Sequence, residues 1–247
     1  MPIVTHIPTI RALLCRDPAW SAYALCDLAP DLFPSTRWFT PGLTLVLHAY
    51  GTCILFAMDA TSLPEALTSV TWPFHAQVQD DVFVQVERVA HIENDRRMWR
   101  MRRGAHVAPV HDPRVVGLGM ADVPALEELY RDGLGTGEAP DFFMPSTVAD
   151  GAYFGIYEGR ALVAAAGTHV LSRAERAAAI GNVYTRRDRR GRGLARAVTS
   201  AVSKALADVD TVVLNVRHDN AAALRLYDTL GFERHCLFHE AIAVSPR

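Results

Sequence analysis

The sequence predicts an α/β protein in which helices flank a mixed sheet, and three observations support this prediction. A run of small and β-branched residues at 177–185 leads through a loop rich in arginine and glycine into an alanine-rich helical pattern. The same order of strand and helix returns at 211–230. Half of the 247 residues are hydrophobic and 21% are charged, the balance of an ordinary globular protein that is long enough for two domains.

Composition narrows the classes of function. Lysine plus arginine number 25 against 27 acidic residues, so a net charge of −2 gives no bulk attraction to nucleic acid or anionic membrane. The four cysteines have no metal-ligand spacing and are interpreted as reduced thiols. Since the N-terminus also lacks a signal-peptide pattern, we expect a cytoplasmic protein without a metal.

The first part of the chain predicts a small α/β domain that ends near a linker at 104–113. The uncharged window 43–58 is divided by Tyr50-Gly51-Thr52, which favours a hairpin of two buried strands over a membrane span. The pattern at 82–90 fits a helix face as well as a strand, and helix is preferred. The residue patterns elsewhere in this part predict short helices within 9–28 and 63–70. They also predict a half-exposed strand at 97–102.

The second part predicts a strand at 114–118 and a helix capped by Asp122 with Pro124 in its first turn. A loop loosened by glycines follows and carries Glu138, Phe142 and Phe143, which predicts either a substrate-facing wall or a short core helix. A hairpin at 153–171 precedes the central strand. The chain closes with two apolar runs, 236–238 and 241–244, predicted as a strand pair.

The loop after the central strand predicts an anion site. Gly191 and Gly193 allow a sharp turn and a close approach of main-chain N–H groups to a ligand. The helix that follows offers unsatisfied N–H groups and the positive end of its dipole, and the neighbouring arginines add charge-assisted donors. Neither a Walker nor a Rossmann glycine pattern fits, because the required residues are absent.

Two linked motifs carry a family resemblance. Arg190, Gly193 and Ala195 form R-x-x-G-x-A, and the string N-x-x-A-x-x-L-Y-x-x-L-G-F occupies 220–232. Together they resemble the cofactor site of the GNAT acyltransferase superfamily. The arrangement of the whole chain is similar to that of the glycine N-acyltransferase and mycothiol synthase families, with the competent domain at the C-terminal end.

The resemblance implies a GNAT fold, with a central mixed, mostly antiparallel sheet flanked by helices. It implies a catalytic, acyl-CoA-binding domain at 113–247 and a degenerate GNAT-like domain at 1–112 with an acceptor or interaction role. The chain departs from the family at Arg186-Arg187, where a histidine-proline pair is frequent. That change adds charge near the loop and alters its rigidity.

The resemblance also implies acetyl-CoA or another acyl-CoA as co-substrate. The loop N–H groups would hold its pyrophosphate, the backbone at 183–185 would pair with its pantetheine arm, and Asn220, which is also read as a helix N-cap, would add a contact. The implied cofactor residues are Val183, Tyr184, Thr185, Arg190, Gly191, Arg192, Gly193, Leu194, Ala195 and Asn220.

The implied catalytic acid is Tyr227, two helical turns after Asn220, which would protonate the departing thiolate. The base is less defined by the sequence. His169 on the adjacent strand is one candidate, while a packing role for it, or Glu138, Asp141 or a water chain as base, stays open. Cys236 could in principle take the acyl group, but direct attack by the amine is preferred.

We therefore expect an N-acyltransferase that acts on a primary amine, with Glu138, Phe142 and Phe143 facing a small-molecule or amino-acid-like acceptor. The expected protein is a monomer or homodimer. The alternatives are an inactive acyl-CoA sensor or interaction module, and a nucleotide- or nucleic-acid-binding domain that uses the arginine loop. Net charge argues against nucleic acid.

Overall fold

A computed structural model of the protein describes residues 3–105, 110–140 and 142–247, and it divides into two compact units. The first runs to Met101 and includes Val216–Asn220 and Arg234–Arg247, while the second contains Arg102–Asn215 and Ala221–Glu233. The ranges 1–112 and 113–247 predicted as domains differ from these units, since Val216–Asn220 and Arg234–Arg247 belong to the first unit. The roles predicted for the two ranges stay predictions.

Strands and short helices alternate along the chain. The described elements are, in order, β1 Ile3–Val4, α1 Ile7–Leu14, α2 Ala22–Cys26, β2 Thr36–Phe39, β3 Thr44–Ala49, β4 Thr52–Ala57, α3 Leu63–Leu67, β5 Phe74–Val78, α4 Asp80–Val89, β6 Ala90–Arg103, β7 Val115–Gly117, α5 Val123–Leu134, α6 Pro145–Asp150, β8 Phe154–Glu158, β9 Ala161–Ser172, β10 Ala177–Thr185, α7 Leu194–Ala205, β11 Thr211–Arg217, α8 Ala221–Thr229 and β12 Phe232–Pro246.

The first unit is built on strands in the order β1-β2-β3-β4-β5-β12-β6. The hairpin β3–β4 confirms the prediction of two buried strands, and β6 confirms the half-exposed strand. The ambiguous segment is helix α4, whose buried residues Val82, Phe83 and Val86 share one face. Two aspartates in its first turn favour the helix further, because acidic groups stabilise a helix N-terminus.

The C-terminal strand is one element, and the prediction of a strand pair is wrong. Strand β12 runs without a break from Phe232 to Pro246. The polar residues His239 and Glu240 separate two apolar runs in the sequence, yet they pair with Val78 and Gln77 of β5 in the antiparallel ladder. A polar residue in a strand does not interrupt backbone pairing, because the ladder uses main-chain groups alone.

The second unit has strands in the order β11-β10-β9-β8-β7. Only the pairing of β10 with β11 is parallel among these neighbours, so this mixed, mostly antiparallel sheet confirms the predicted fold class. Helix α7 buries Leu194, Val198 and Val202 against the sheet, at the predicted helical spacing. Helix α5 packs its apolar face on the same strands through Leu126 and Tyr130.

Asp122 precedes α5, but its side chain does not cap that helix. Its Oδ2 accepts the backbone N–H of Gly119 at 2.9 Å, and its Oδ1 accepts the hydroxyl of Tyr157 at 2.7 Å. The capping prediction is therefore wrong in detail. The carboxylate instead closes the turn that leads into the helix.

Candidate functional site

Strand β10 is the element around which the candidate site is built. Its parallel pairing with β11 ends at Ile180↔Leu214, whereas β10 continues to Thr185. Its pairing with β9 shifts register after Gly181, and Asn182 within that shift has a φ of 52°. Such a bulge re-aims the backbone, and the end of the β11 ladder leaves main-chain groups of β10 for a ligand that pairs like an added strand.

The loop after β10 has the backbone that its glycines predict. Gly191 and Gly193 have φ values of 76° and 74°, in the left-handed region that favours glycine. A Cβ atom added at either position would meet no described atom within 4 Å. The φ angle rather than crowding therefore explains both glycines, and the loop faces open space of the kind that a diphosphate needs.

The N-terminus of α7 points into the same loop. The first backbone hydrogen bond of the helix is donated by Ala197 N–H to the oxygen of Gly193, the N-cap residue, at 3.1 Å. The N–H groups of Leu194, Ala195 and Arg196 come before it and have no acceptor within the helix. Such N–H groups, together with the helix dipole, are the features by which helix N-termini bind anions in proteins generally.

The arginines of the loop are paired with acidic side chains, which the sequence does not predict. Arg190 donates to Glu138 through two hydrogen bonds, of 3.0 and 3.1 Å. The other pairs are Arg186 with Asp188, Arg187 with Asp132, Arg189 with Glu158 and Asp188, and Arg192 with Glu158. Four carboxylates thus offset most of the charge of the five arginines.

Asp132 of α5 anchors the loop, and sequence reasoning missed it. Its Oδ2 accepts the backbone N–H of Arg187 at 2.9 Å and the hydroxyl of Tyr184 at 3.0 Å. The Arg187 N–H is the main reason why the pKa of Asp132 lies below its usual range. The contact spans more than 50 positions of the chain, and no local pattern signals it.

The predicted pantetheine segment 183–185 has mixed surroundings. The side chain of Tyr184 is only 4% exposed and packs edge-on against Tyr130, so its ring is committed to the core of this unit. Val183 and Thr185 are half-buried. Among the residues that the structure describes, the buried Thr185 Oγ1 has no hydrogen-bond partner, and the Thr185 carbonyl accepts Arg190 Nε at 3.3 Å.

Glu138 lies beside the loop after β10 because of Gly133. Glu138 and Ala139 both donate their backbone N–H groups to the oxygen of Gly133, at 3.1 and 3.3 Å. A Cβ at Gly133 would stand 2.6 Å from the nitrogen of Ala139, so glycine allows this close return of the chain. The Arg190 guanidinium holds the pKa of Glu138 below its usual range, and the carboxylate is therefore committed to the loop.

His169 on β9 meets the predicted acceptor wall. Its Nε2 lies 3.0 Å from the oxygen of Phe142, and the two rings meet edge-on at 6.0 Å. A carbonyl oxygen only accepts, so Nε2 carries a proton and Nδ1 is the basic nitrogen of the neutral ring. Phe142 is 38% exposed, whereas Phe143 is half-buried against Tyr130. Asp141, the other candidate base of this segment, lies outside the described residues.

Tyr227 lies on α8 with 7% of its surface exposed. Its ring meets Phe232 edge-on at 6.2 Å. Burial raises the pKa of the phenol to about 12. The hydroxyl therefore stays protonated throughout the physiological range, as a proton donor must.

Two residues of the prediction belong to the first unit. Asn220 is exposed, directly precedes α8 in the chain, and donates its backbone N–H to the oxygen of Arg217 at 3.0 Å. Cys236 is partly buried in β12, and burial raises the pKa of its thiol to about 11. A thiol with that pKa is a poor nucleophile at neutral pH, which favours direct attack by the amine.

The described ranges contain no cluster of three or more His, Cys, Asp or Glu side chains that could hold a metal ion. Nor does any helix within them have the length and apolar character needed to cross a bilayer.

The C-terminal part of the chain matches known proteins in sequence. A family model described as FR47-like protein matches residues 153–240. A mycothiol acetyltransferase of Tsukamurella paurometabola is 45% identical over 74 residues, which are 28% of this chain and 25% of that protein. A mycothiol acetyltransferase of Rhodococcus opacus is 47% identical over 70 residues, 26% of this chain and 22% of that protein. The chain thus matches about a quarter of the length of these relatives.

Solved structures match nearly the whole chain. One is a putative acetyltransferase of the GNAT family from Novosphingobium aromaticivorans, with a TM-score of 0.65 and 21% identity. The superposition covers 92% of this chain and 97% of that protein. Another is a GCN5-related N-acetyltransferase from Kribbella flavida, with a TM-score of 0.62 and 17% identity. The superposition covers 92% of this chain and 98% of that protein. At these identities the likeness shows a shared fold.

Proposed function

We propose that this chain is a member of the GNAT superfamily and an N-acyltransferase that moves an acetyl or other short acyl group from acyl-CoA to a primary amine. The observation that carries the proposal is the junction of β10 and α7. There, two left-handed glycines open a loop beside N–H groups that have no acceptor within helix α7, directly after the stretch of β10 that extends beyond the β11 ladder.

The chemistry of these residues supports coenzyme A as the ligand. A pyrophosphate needs several N–H donors and room for its oxygens, and residues 190–195 offer both. The amides of a pantetheine arm need main-chain partners, and the backbone of Val183 and Thr185 could supply them. The bound co-substrate would bring an activated thioester, while the protein binds, orients and transfers protons.

Tyr227 is proposed as the general acid. It would donate its phenolic proton to the sulfur that leaves when the carbon–sulfur bond breaks, and that proton is present at neutral pH because burial keeps the phenol un-ionised. Asn220 is proposed as a further contact to the cofactor.

His169 is proposed as the base that takes a proton from the amine. Its Nε2 donates to the carbonyl of Phe142, so in the neutral ring the lone pair that accepts a proton is on Nδ1. Glu138 is a weaker candidate, because it is paired with Arg190 and is not available as a base while that pair holds. In the proposed site Glu138, Phe142 and Phe143 line the path of the acceptor.

The proposed acceptor is a small molecule with a primary amine, including amino-acid-like compounds. The sequence relatives carry the name mycothiol acetyltransferase, so the deacetylated form of mycothiol belongs among the amines to be tested. We propose residues 113–247 as the catalytic part, and an acceptor or interaction role for the N-terminal part.

The experiment that tests this function is release of free thiol from acetyl-CoA over a panel of amines, followed with a thiol-reactive dye. We expect amine-dependent thiol release, with the acylated amine detected by mass spectrometry. Calorimetric binding of CoA without turnover of any amine would favour an inactive acyl-CoA sensor instead. Absence of CoA binding would contradict both.

A further inference from the structure

Asn182, at the bulge of β10, has a backbone conformation that residues other than glycine rarely adopt. Its φ is 52° and only 6% of its surface is exposed. Asparagine tolerates this left-handed region better than most residues. Its backbone oxygen accepts the hydroxyl of Tyr130 at 3.1 Å. The backbone of Asn182 is thus held from within the protein, and its side chain is left to be explained.

Donor counting gives the direction of the hydrogen bonds around this side chain. The hydroxyl of Thr147 donates to the oxygen of Met144 at 2.7 Å, because a carbonyl only accepts. Having used its proton, Thr147 Oγ1 accepts the proton of the Tyr153 hydroxyl, 3.0 Å away. The oxygen of Tyr153 in turn accepts Asn182 Nδ2 at 2.7 Å. The amide is therefore oriented with its nitrogen toward Tyr153.

This orientation leaves Asn182 Oδ1 as the unused group. It is buried, and the described residues offer it no hydrogen-bond donor. Buried acceptors in native proteins almost always have partners, so an exception needs an explanation such as a ligand. The ligand must present a donor, because the only capacity of Oδ1 is to accept.

The surroundings place the amide on the face of the sheet where the predicted base lies. The ring of Tyr153 lies over Gly167, and the ring of His169 lies over Gly181, since a Cβ at either glycine would clash with the ring at 2.3 and 2.8 Å. Gly181 and Gly167 are direct partners in the ladder between β10 and β9, and side chains of directly opposite residues point to the same face of a sheet. Phe143 of the predicted acceptor wall meets Tyr153 at 6.4 Å.

We propose that Asn182 Oδ1 accepts a hydrogen bond from the amine of the acyl acceptor, which makes Asn182 an acceptor-binding residue. This inference rests on the proposed N-acyltransferase function and adds a residue that recognises the acceptor. When one N–H of the acceptor amine points at Oδ1, the amine nitrogen is held at hydrogen-bond distance from Asn182. Its lone pair then points away from Oδ1. The site therefore selects acceptors that carry an N–H.

Two variants of the full chain separate recognition from a structural role. Asn182→Gly keeps the left-handed backbone and removes the amide. Asn182→Asp keeps an oxygen acceptor of the same shape but cannot donate to Tyr153. With the most active amine of the panel, we expect Asn182→Gly to raise KM roughly 10- to 100-fold, the effect of one buried hydrogen bond, and Asn182→Asp to stay within about 3-fold of wild type.

The dissociation constant of CoA, measured by calorimetry, should be unchanged in both variants. Equal rises of KM in the two variants would overturn the inference, because they would indicate that the bond to Tyr153 is what matters. A weaker affinity for CoA with an unchanged KM for the amine would also overturn it, since Oδ1 would then serve the cofactor. A wild-type protein that binds CoA but acylates no amine contradicts the proposed function instead, and the inference falls with it.

A third variant leaves Asn182 in place and guards against misfolding of Asn182→Gly. Thr147→Val removes the acceptor of the Tyr153 proton, so Tyr153 donates to the amide oxygen and the amide turns its nitrogen toward the acceptor. We expect the KM of the amine to rise at least 5-fold without loss of CoA affinity. An unchanged KM for the amine in Thr147→Val would contradict the proposed directions of the hydrogen bonds from Asn182 through Tyr153 to Thr147, provided that the melting temperature shows a folded protein.

Discussion

Replacement of Gly193 probes the cofactor loop most directly. Its φ of 74° disfavours any L residue by roughly 1–2 kcal/mol, although a Cβ there would meet no described atom within 4 Å. Gly159, in the turn between β8 and β9, is a matched control because its φ is 63° and its Cβ would likewise meet nothing. Alanine at either position should therefore lower the free energy of unfolding by a similar amount.

Only the change at Gly193 should affect coenzyme A. A Gly193→Glu variant puts a carboxylate where the pyrophosphate is proposed to lie, and the loss of two charge-assisted hydrogen bonds costs roughly 3–6 kcal/mol, or at least about 100-fold in affinity. Isothermal titration calorimetry with CoA would measure this, with Gly159→Glu as the charge-matched control. An unchanged dissociation constant in folded Gly193→Glu would refute the proposed site.

Three further predictions concern proton transfer and pH. Tyr227→Phe should lower kcat roughly 100-fold or more in steady-state assays with little change in CoA affinity, and full turnover would exclude the phenol as acid. His169→Gln can still donate to the Phe142 oxygen but has no basic nitrogen, so the acidic limb of the pH profile of kcat/KM should disappear; a limb that persists would assign the base elsewhere. Burial raises the pKa of Asp27 from 3.8 to about 7, so stability is fully present below pH 4 and falls by roughly 4 kcal/mol as pH rises to 7. In urea unfolding, Asp27→Asn should have the stability of the wild type at pH 4 and a higher stability than the wild type at pH 8. If the two proteins were equally stable at both pH values, ionisation of Asp27 would not destabilise the fold and the prediction would be wrong.

The parts of the fold that were predicted correctly have local causes. The periodicity of 177–207 gives β10 and α7 nearly at their observed bounds, because small and β-branched residues favour the strand and apolar residues at four-residue spacing favour the helix. The sharp turn at Gly191 and Gly193 could be predicted from the sequence for the same reason, because glycine adopts a left-handed φ more readily than other residues do.

The features that the sequence did not predict depend on contacts between distant residues. Asp132 holds the Arg187 N–H across more than 50 positions, and the carboxylates that neutralise the loop arginines come from α5, the α5–α6 segment and β8 as well as from the loop itself. Asn182 was part of the central strand in the sequence, but its unpaired oxygen is visible only once Tyr153 and Thr147 are in place. The continuity of β12 likewise follows from its ladder with β5.

The central claim is that the β10–α7 junction binds the diphosphate of coenzyme A and presents a thioester to Tyr227. A crystal structure of the protein with CoA tests it most directly. We predict the pyrophosphate within hydrogen-bond distance of the N–H groups of residues 191–195, the pantetheine along 183–185, and the sulfur beside the phenol of Tyr227. A pyrophosphate bound elsewhere, or a Tyr227 hydroxyl directed away from the sulfur, would contradict the account.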